Sequence, residues 1–186
     1  MNKRNTLVIN IFGGPSISKS TTAAGVFSLL KLHGIECELA LEYAKDLIWE
    51  ERHKTIKDQQ YLFGKQYHRL WRLVNNVDVI VTDCPLLLSV VYGKRYDVVV
   101  KSFADNVIDA INSFNNFNVV LDRVKPFNEN GRNVTEVQAK EIDKEIIDTL
   151  KYYKMDYINI PGNFEGINTI VHNILRNDPT FKINKV

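Results

Sequence analysis

Short apolar runs alternate with longer amphipathic stretches along this chain. The runs at 6–12, 36–41, 77–82, 117–121 and 157–160 are of strand length and rich in Val, Ile and Leu. Between and after them, apolar positions recur at helical spacing over 19–33, 43–53, 57–75, 97–114, 135–153 and 164–176. Local signals agree. Gly34 follows the first helical stretch as a C′ glycine. Thr135 and Gln138 form a capping box, and Ala139, Ile142, Ile146, Leu150 and Tyr153 then make one apolar stripe. Pro161-Gly162 closes the last strand. Strands that alternate with helices predict an α/β fold, a parallel sheet covered on both faces and joined by right-handed crossovers. Ligands of such sheets bind beyond the carboxyl ends of the strands, so the residues after each strand are the candidate site. There is no repeat, low-complexity tract or linker. Residues 1–176 read as one domain and 177–186 as a C-terminal tail.

The first strand-to-helix turn is the most informative. Residues 7–21 read Leu-Val-Ile-Asn-Ile-Phe-Gly-Gly-Pro-Ser-Ile-Ser-Lys-Ser-Thr. A strand runs into a glycine-rich turn, and Lys-Ser-Thr opens a helix, the layout of a phosphate-binding loop. Gly13 and Gly14 let the backbone approach phosphate oxygens, and Pro15, Ser16, Ile17 and Ser18 complete the turn. Lys19 is placed to reach the β- and γ-phosphates of ATP, the Ser20 hydroxyl to hold Mg²⁺, and Thr21 to extend the binding segment. The pattern wants glycine at position 18 and finds Ser18, so the loop has to tolerate an unusual torsion there.

The later strand ends supply the other candidates. Glu42, after the second run, is placed to accept a hydroxyl proton or hydrogen-bond an acceptor; its plainer reading is a helix-capping acid. Tyr43 follows it. Asp83 ends the third run and reads as the acid that anchors Mg²⁺, or as the base toward the acceptor, or as a turn residue before Pro85. The fourth run leads into a polar basic segment with Arg123 and Arg132. Here a lid spanning about 123–136 would bring guanidinium groups to the transferred phosphoryl, or the segment is simply a solvated loop. The turn at 160–164 would border the adenine, or is a plain turn into the last helix. One face of the 57–75 helix carries Tyr61, His68 and Arg72, with Arg69 nearby, a set able to stack on and pair with a nucleotide-like acceptor or merely to face solvent. Acceptor specificity falls to segments 43–72 and 84–96, which periodicity does not resolve.

Bulk properties narrow the classes. The chain has 186 residues, 24 Lys and Arg against 22 Asp and Glu, and a formal net charge of +2. Near-neutrality disfavours a nucleic-acid partner. No apolar run approaches the roughly 20 residues needed to cross a bilayer. Cys37 and Cys84 show neither metal nor disulfide spacing and read as free thiols of a reducing cytoplasm. The start, Met-Asn-Lys-Arg-Asn, has no signal-peptide pattern.

Three segments together resemble a known family: residues 12–22 around the loop, Glu42-Tyr-Ala-Lys-Asp46, and Thr82-Asp-Cys-Pro-Leu86. They look like the small P-loop kinases of tailed bacteriophages, often labelled AAA-type ATPases, and are similar to the ribosylnicotinamide kinase group and more distantly to nucleoside and nucleotide kinases. The resemblance covers about residues 6–175. It implies a three-layer α/β/α fold, a five-stranded parallel sheet in the order 2-3-1-4-5, and a lid over ATP. It further implies that residues 13–21 take ATP, that Asp83 takes metal or acceptor, and that Arg123 and Arg132 are lid arginines. The implied activity is ATP·Mg²⁺-dependent phosphoryl transfer to a small nucleoside, nucleotide or related compound. The alternatives are a kinase for a modified base in DNA and a nucleotide-binding switch that does not turn over, which Ser18 favours. A homodimer is the analogy from nucleotide kinases of this size.

Overall fold

The structure, a computed structural model, describes residues 4–98, 100–127 and 134–176. Its elements run β1 (Leu7–Phe12), α1 (Lys19–Leu32), β2 (Cys37–Ala40), α2 (Ala44–Trp49), α3 (His53–Ile56), α4 (Gln59–Trp71), β3 (Val79–Thr82), α5 (Leu88–Arg95), α6 (Lys101–Asn112), β4 (Asn115–Asp122), α7 (Glu136–Tyr152), β5 (Ile158–Pro161) and α8 (Phe164–Arg176). All strand pairs are parallel, in the order β2-β3-β1-β4-β5, as the resemblance implies.

β1 lies at the centre and every one of its residues is buried. Its alternation divides the core in two. Leu7, Ile9 and Ile11 point to one face and pack with Ala23, Val26 and Leu30 of α1 and Ile167, Ile170 and Ile174 of α8. Val8 and Phe12 point to the other, against α4, α5, α6 and α7, through side chains such as Leu70, Val90, Val107 and Ile146. A strand buried on both faces does not alternate apolar with polar, which is why β1 and β3 read as nearly continuous hydrophobic runs, broken only by the buried Asn10 and Thr82. α1 and α8 approach closely: a Cβ on Gly25 would lie 2.7 Å from Ile167 Cδ1.

Register aligns the strand ends. Asn10 of β1 and Ala40 of β2 both pair with Thr82 of β3, and Phe12 pairs with Val120 of β4. The phosphate loop, Glu42, Asp83 and Arg123 therefore leave the same edge of the sheet. Thr82 secures two neighbours there, donating to the Ala40 carbonyl (2.9 Å) and accepting from Gln66 Nε2 of α4 (3.3 Å).

Four local readings need correction. The stretch 43–53 is not one helix; α2 and α3 are separated by Glu51 at φ 56°, a left-handed conformation that no α-helix continues through. The 57–75 stretch is helical only over Gln59–Trp71; Asp58 caps it, accepting from Tyr61 N at 3.0 Å. Helix 97–114 begins later, at Lys101, after Asp97 turns left-handed at φ 55°. Before it stands α5, a helix that periodicity does not predict, because Leu88, Ser89, Val90, Val91 and Gly93 are all buried and leave little polar face. By contrast, the capping box at Thr135 and Gln138 forms with both of its hydrogen bonds. The 177–186 tail and Arg132 lie outside the described residues.

The β1–α1 turn uses three positive φ angles: Gly13 at 149°, Ser16 at 62° and Ser18 at 74°. Gly14 is needed for space, since a Cβ there would lie 2.7 Å from both the Ala139 carbonyl oxygen and Asp143 Oδ1. Gly64, in α4, has nothing within 4 Å of such a Cβ. In urea unfolding, Gly14→Ala should therefore cost about 1–3 kcal/mol by overpacking, whereas Gly64→Ala should gain about 0.5–1 kcal/mol from helix propensity. Ser18→Gly should gain about 1 kcal/mol by removing a side chain from a left-handed position.

Candidate active site

The turn after β1 wraps toward the start of α1, which begins at Lys19. Ser18 makes no side-chain cap and the first turn of α1 holds no acid. A helix start without an acid of its own in the first turn carries the positive end of the helix dipole, the arrangement that favours phosphate. Lys19 folds back across the turn and donates from Nζ to the Gly14 carbonyl at 2.9 Å. Ser16, Ser18, Lys19 and Ser20 are half-buried and Thr21 is exposed.

Beside the loop lies a cavity of about 160 Å³. Pro15 and Lys19 form one wall, Glu42 and Tyr43 the end of β2, and Cys84 the end of β3. Gln59 and Gln66 come from α4, and Ser89 and Tyr92 from α5. Glu42 stands before α2, whose N-cap position is Tyr43 with no side-chain cap, so Glu42 is not a capping acid. The backbone N–H of Glu42 donates to Asp83 Oδ1 at 2.9 Å, which ties the ends of β2 and β3 together. Asp83 itself is only 1% exposed. Gln66 fixes Tyr43 from the other side, accepting from its backbone N–H at 3.3 Å.

Charge inside the cavity is felt by the thiol of Cys84. Burial pushes it well above its ordinary range, Glu42 and Asp83 push it further, and Lys19 and Arg69 oppose them. A thiol so raised stays protonated at neutral pH and is no nucleophile. Burial likewise raises the Tyr92 phenol, again helped by Glu42. Both cysteines are free.

Several predicted contacts take other positions. Tyr61 is not on the cavity wall; its hydroxyl hydrogen-bonds that of Tyr43 at 2.7 Å, with the rings edge to face. Arg69 is spent on backbone and acid, donating to the Leu41 carbonyl at 2.6 Å and to Asp46 Oδ2 at 3.1 Å while lying over the Tyr43 ring. Tyr61 and Arg69 thus brace Tyr43 from behind. His68 is exposed and stacks on Trp71, and Arg72 is exposed at the end of α4; neither lines the cavity.

Arg123 is held at the root of the segment read as a lid. Its Nε donates to Asp143 Oδ2 at 2.5 Å and its Nη2 to the Pro15 carbonyl at 2.9 Å. Nη1 is buried and has no hydrogen-bond partner among the described residues. Asp143 of α7, which no motif signals, also accepts from the Gly14 N–H through Oδ1 at 2.6 Å. The α5 contributions were equally hidden, since Ser89 and Tyr92 sit on a helix without a periodic signature.

The donor set fits a hard cation shared with phosphate. Ser20 and Asp83 offer oxygen, the chemistry Mg²⁺ accepts with water and phosphate oxygens completing its shell. Among the described residues no group of three or more His, Cys, Asp or Glu could hold a metal by itself. Among them, too, no helix is long and apolar enough to cross a membrane.

Known proteins share this architecture. The thymidylate kinase of Ehrlichia chaffeensis superposes with a TM-score of 0.61 at 11% identity, covering 92% of this chain and 98% of that one. The NadR protein in complex with NR gives 0.68 at 16% identity, over 98% of this chain and 53% of that chain. The deoxyadenosine kinase of M. mycoides, with products dCMP and a flexible dCDP bound, gives 0.56 at 19% identity, over 91% and 97%. These likenesses show a shared fold. No curated protein matches the chain. The family model described as AAA domain matches residues 8–166, and the chain therefore belongs to the AAA domain family.

Proposed function

We propose that this protein is a P-loop kinase that transfers the γ-phosphoryl group of ATP to a hydroxyl or phosphate of a nucleoside, nucleotide or related small molecule. One observation carries the reading: the phosphate-loop lysine, Lys19, and the strand-end carboxylate, Glu42, line the same cavity. Donor and acceptor chemistry then meet in one space, with Tyr43 and Tyr92 offering rings to a flat base. The fold shared with thymidylate kinase and deoxyadenosine kinase supports it. In this reading residues 13–21 hold the triphosphate, and Ser20 and Asp83 hold Mg²⁺. The metal, when bound, would draw charge from the phosphates.

The chain's own groups divide the remaining work. Lys19 moves from the Gly14 carbonyl to the phosphoryl oxygens and neutralises charge that grows there. Glu42 accepts the acceptor's proton. It suits that role better than Asp83, which is buried and already accepts the Glu42 amide. Arg123 keeps a donor, Nη1, for an anionic oxygen. Phe164, 72% exposed at the start of α8, offers a ring to the adenine beside Gly162, whose Cβ position lies 2.8 Å from the Ile17 carbonyl oxygen. The proposal includes a cytoplasmic location, where ATP is supplied, and, from the resemblance, a bacteriophage source with a role in nucleotide supply.

Incubation with ATP, Mg²⁺ and pooled nucleosides and nucleoside monophosphates, read by mass spectrometry, tests the activity. A phosphorylated product should form and fall by about 10²–10³-fold in Lys19→Ala. Tight ATP binding with no product from any pool would sink small-molecule kinase activity and favour the switch reading. Once an acceptor is known, Glu42→Gln should lower kcat by about 10²–10⁴-fold with little change in Mg²⁺ dependence, whereas Asp83→Asn should raise the Mg²⁺ concentration needed for half-maximal rate. The reverse pattern would exchange their roles.

A further inference from the structure

We propose that Asp143 is a positioning residue of the phosphate loop, acting through Gly14 and Arg123 rather than by touching substrate. Both of its carboxylate oxygens are committed. Oδ1 accepts the Gly14 N–H at 2.6 Å and Oδ2 accepts Arg123 Nε at 2.5 Å. Arg123 returns to the loop through the Pro15 carbonyl at 2.9 Å and approaches the Ala139 carbonyl at 3.4 Å. Loop, β4 end and α7 are thereby joined in one closed circuit. Asp143 and Arg123 are mostly buried, with side chains 21% and 15% exposed, so water competes weakly for these bonds.

An ordinary structural ion pair would be expected to satisfy its donors. This one leaves Arg123 Nη1 buried and unpaired, the one such side-chain atom found among the described residues. Asp143 thus fixes a guanidinium with a donor in reserve. It also anchors the loop at the amide just before Pro15, upstream of the donors expected to meet phosphate. Loss of Asp143 should loosen both features together. The inference rests on the nucleotide-binding reading for its affinity consequences, while the clamp itself can be read without any nucleotide.

The test is native-state hydrogen exchange by mass spectrometry, combined with ATP affinity by calorimetry, on wild type, Asp143→Ala and Asp143→Asn. In Asp143→Ala, peptides covering residues 13–18 should exchange about tenfold faster or more while β5 and α8 are unchanged, and ATP affinity should fall by a similar factor, the scale of one charge-assisted hydrogen bond. Asn is nearly isosteric and should fold. Its amide oxygen can still accept the Gly14 N–H, but its NH₂ cannot accept Arg123 Nε. Loop exchange should then stay near wild type while ATP affinity still falls. Unchanged loop exchange and affinity in Asp143→Ala would overturn the proposal, as would faster exchange spread evenly over the sheet, or Asp143→Asn matching wild type in affinity. If wild type itself fails to bind ATP, the kinase reading falls, and loop exchange in Asp143→Ala still decides the clamp.

Discussion

The phosphate loop is held by close packing on two sides, and the rest of the site is built around that constraint. On one side Gly14 passes so close to the start of α7 that no side chain fits. On the other, the β5–α8 turn presses Gly162 toward the Ile17 carbonyl. A loop gripped between two elements cannot relax independently of them. The positions of β4, α7 and β5 around β1 are therefore constraints on the site as much as on the core. The parallel register then brings the ends of β2 and β3 to the same edge, and Thr82 and Asp83 lock those ends with hydrogen bonds to Ala40 and Glu42.

Most of this architecture was legible in the sequence, because its largest signals are physical necessities. A central strand buried on both faces is predominantly apolar, so β1 and β3 announce themselves. The start of α7 was legible because its capping box is a local, self-contained pair of hydrogen bonds. What failed was local conformation set by tertiary contact. Glu51 and Asp97 adopt left-handed torsions that nothing in their residue type demands. α5 is buried nearly all round, which erases the periodicity by which a helix is read. β4 begins at Asn115, earlier than its apolar run. The residues gained at that end are Asn115 and Asn116; Asn116, with Asn118 inside the run, accepts from Asn10 of β1.

The site divides along the same line. Residues within one strand-turn-helix segment, such as Lys19 and Ser20, can be placed relative to one another by spacing alone, because the backbone fixes their mutual geometry. Residues that meet across elements are not. The polar face of α4 was read as an acceptor surface, yet the structure turns Arg69 to the Leu41 carbonyl and Asp46 and leaves His68 against Trp71. Helical spacing places side chains on a common face; it does not say whether that face meets a cavity. Gln59 and Gln66 lie on the buried side of the same helix and do line the cavity. Arg123 was singled out from its place after the fourth strand, but its partner Asp143 lies 20 residues further on and carries no motif.

The two serines of the loop bear on how the site is held. Ser16 and Ser18 occupy left-handed backbone, which costs an L-residue about 1–2 kcal/mol each. The unpaired Arg123 donor adds a desolvation cost of about 1–3 kcal/mol. Left alone, a loop with such costs would relax toward ordinary torsions. Hydrogen bonds to charged groups, each worth about 1.5–3 kcal/mol, oppose that relaxation. Asp143 makes two of them and Arg123 a further one to the Pro15 carbonyl. The two sides are of similar size, so the loop's shape depends on the clamp rather than on its own sequence. The bonds from Asp143 and Arg123 hold the loop at Gly14 and Pro15, upstream of Ser18, and a ligand that satisfied Arg123 Nη1 would remove part of the cost.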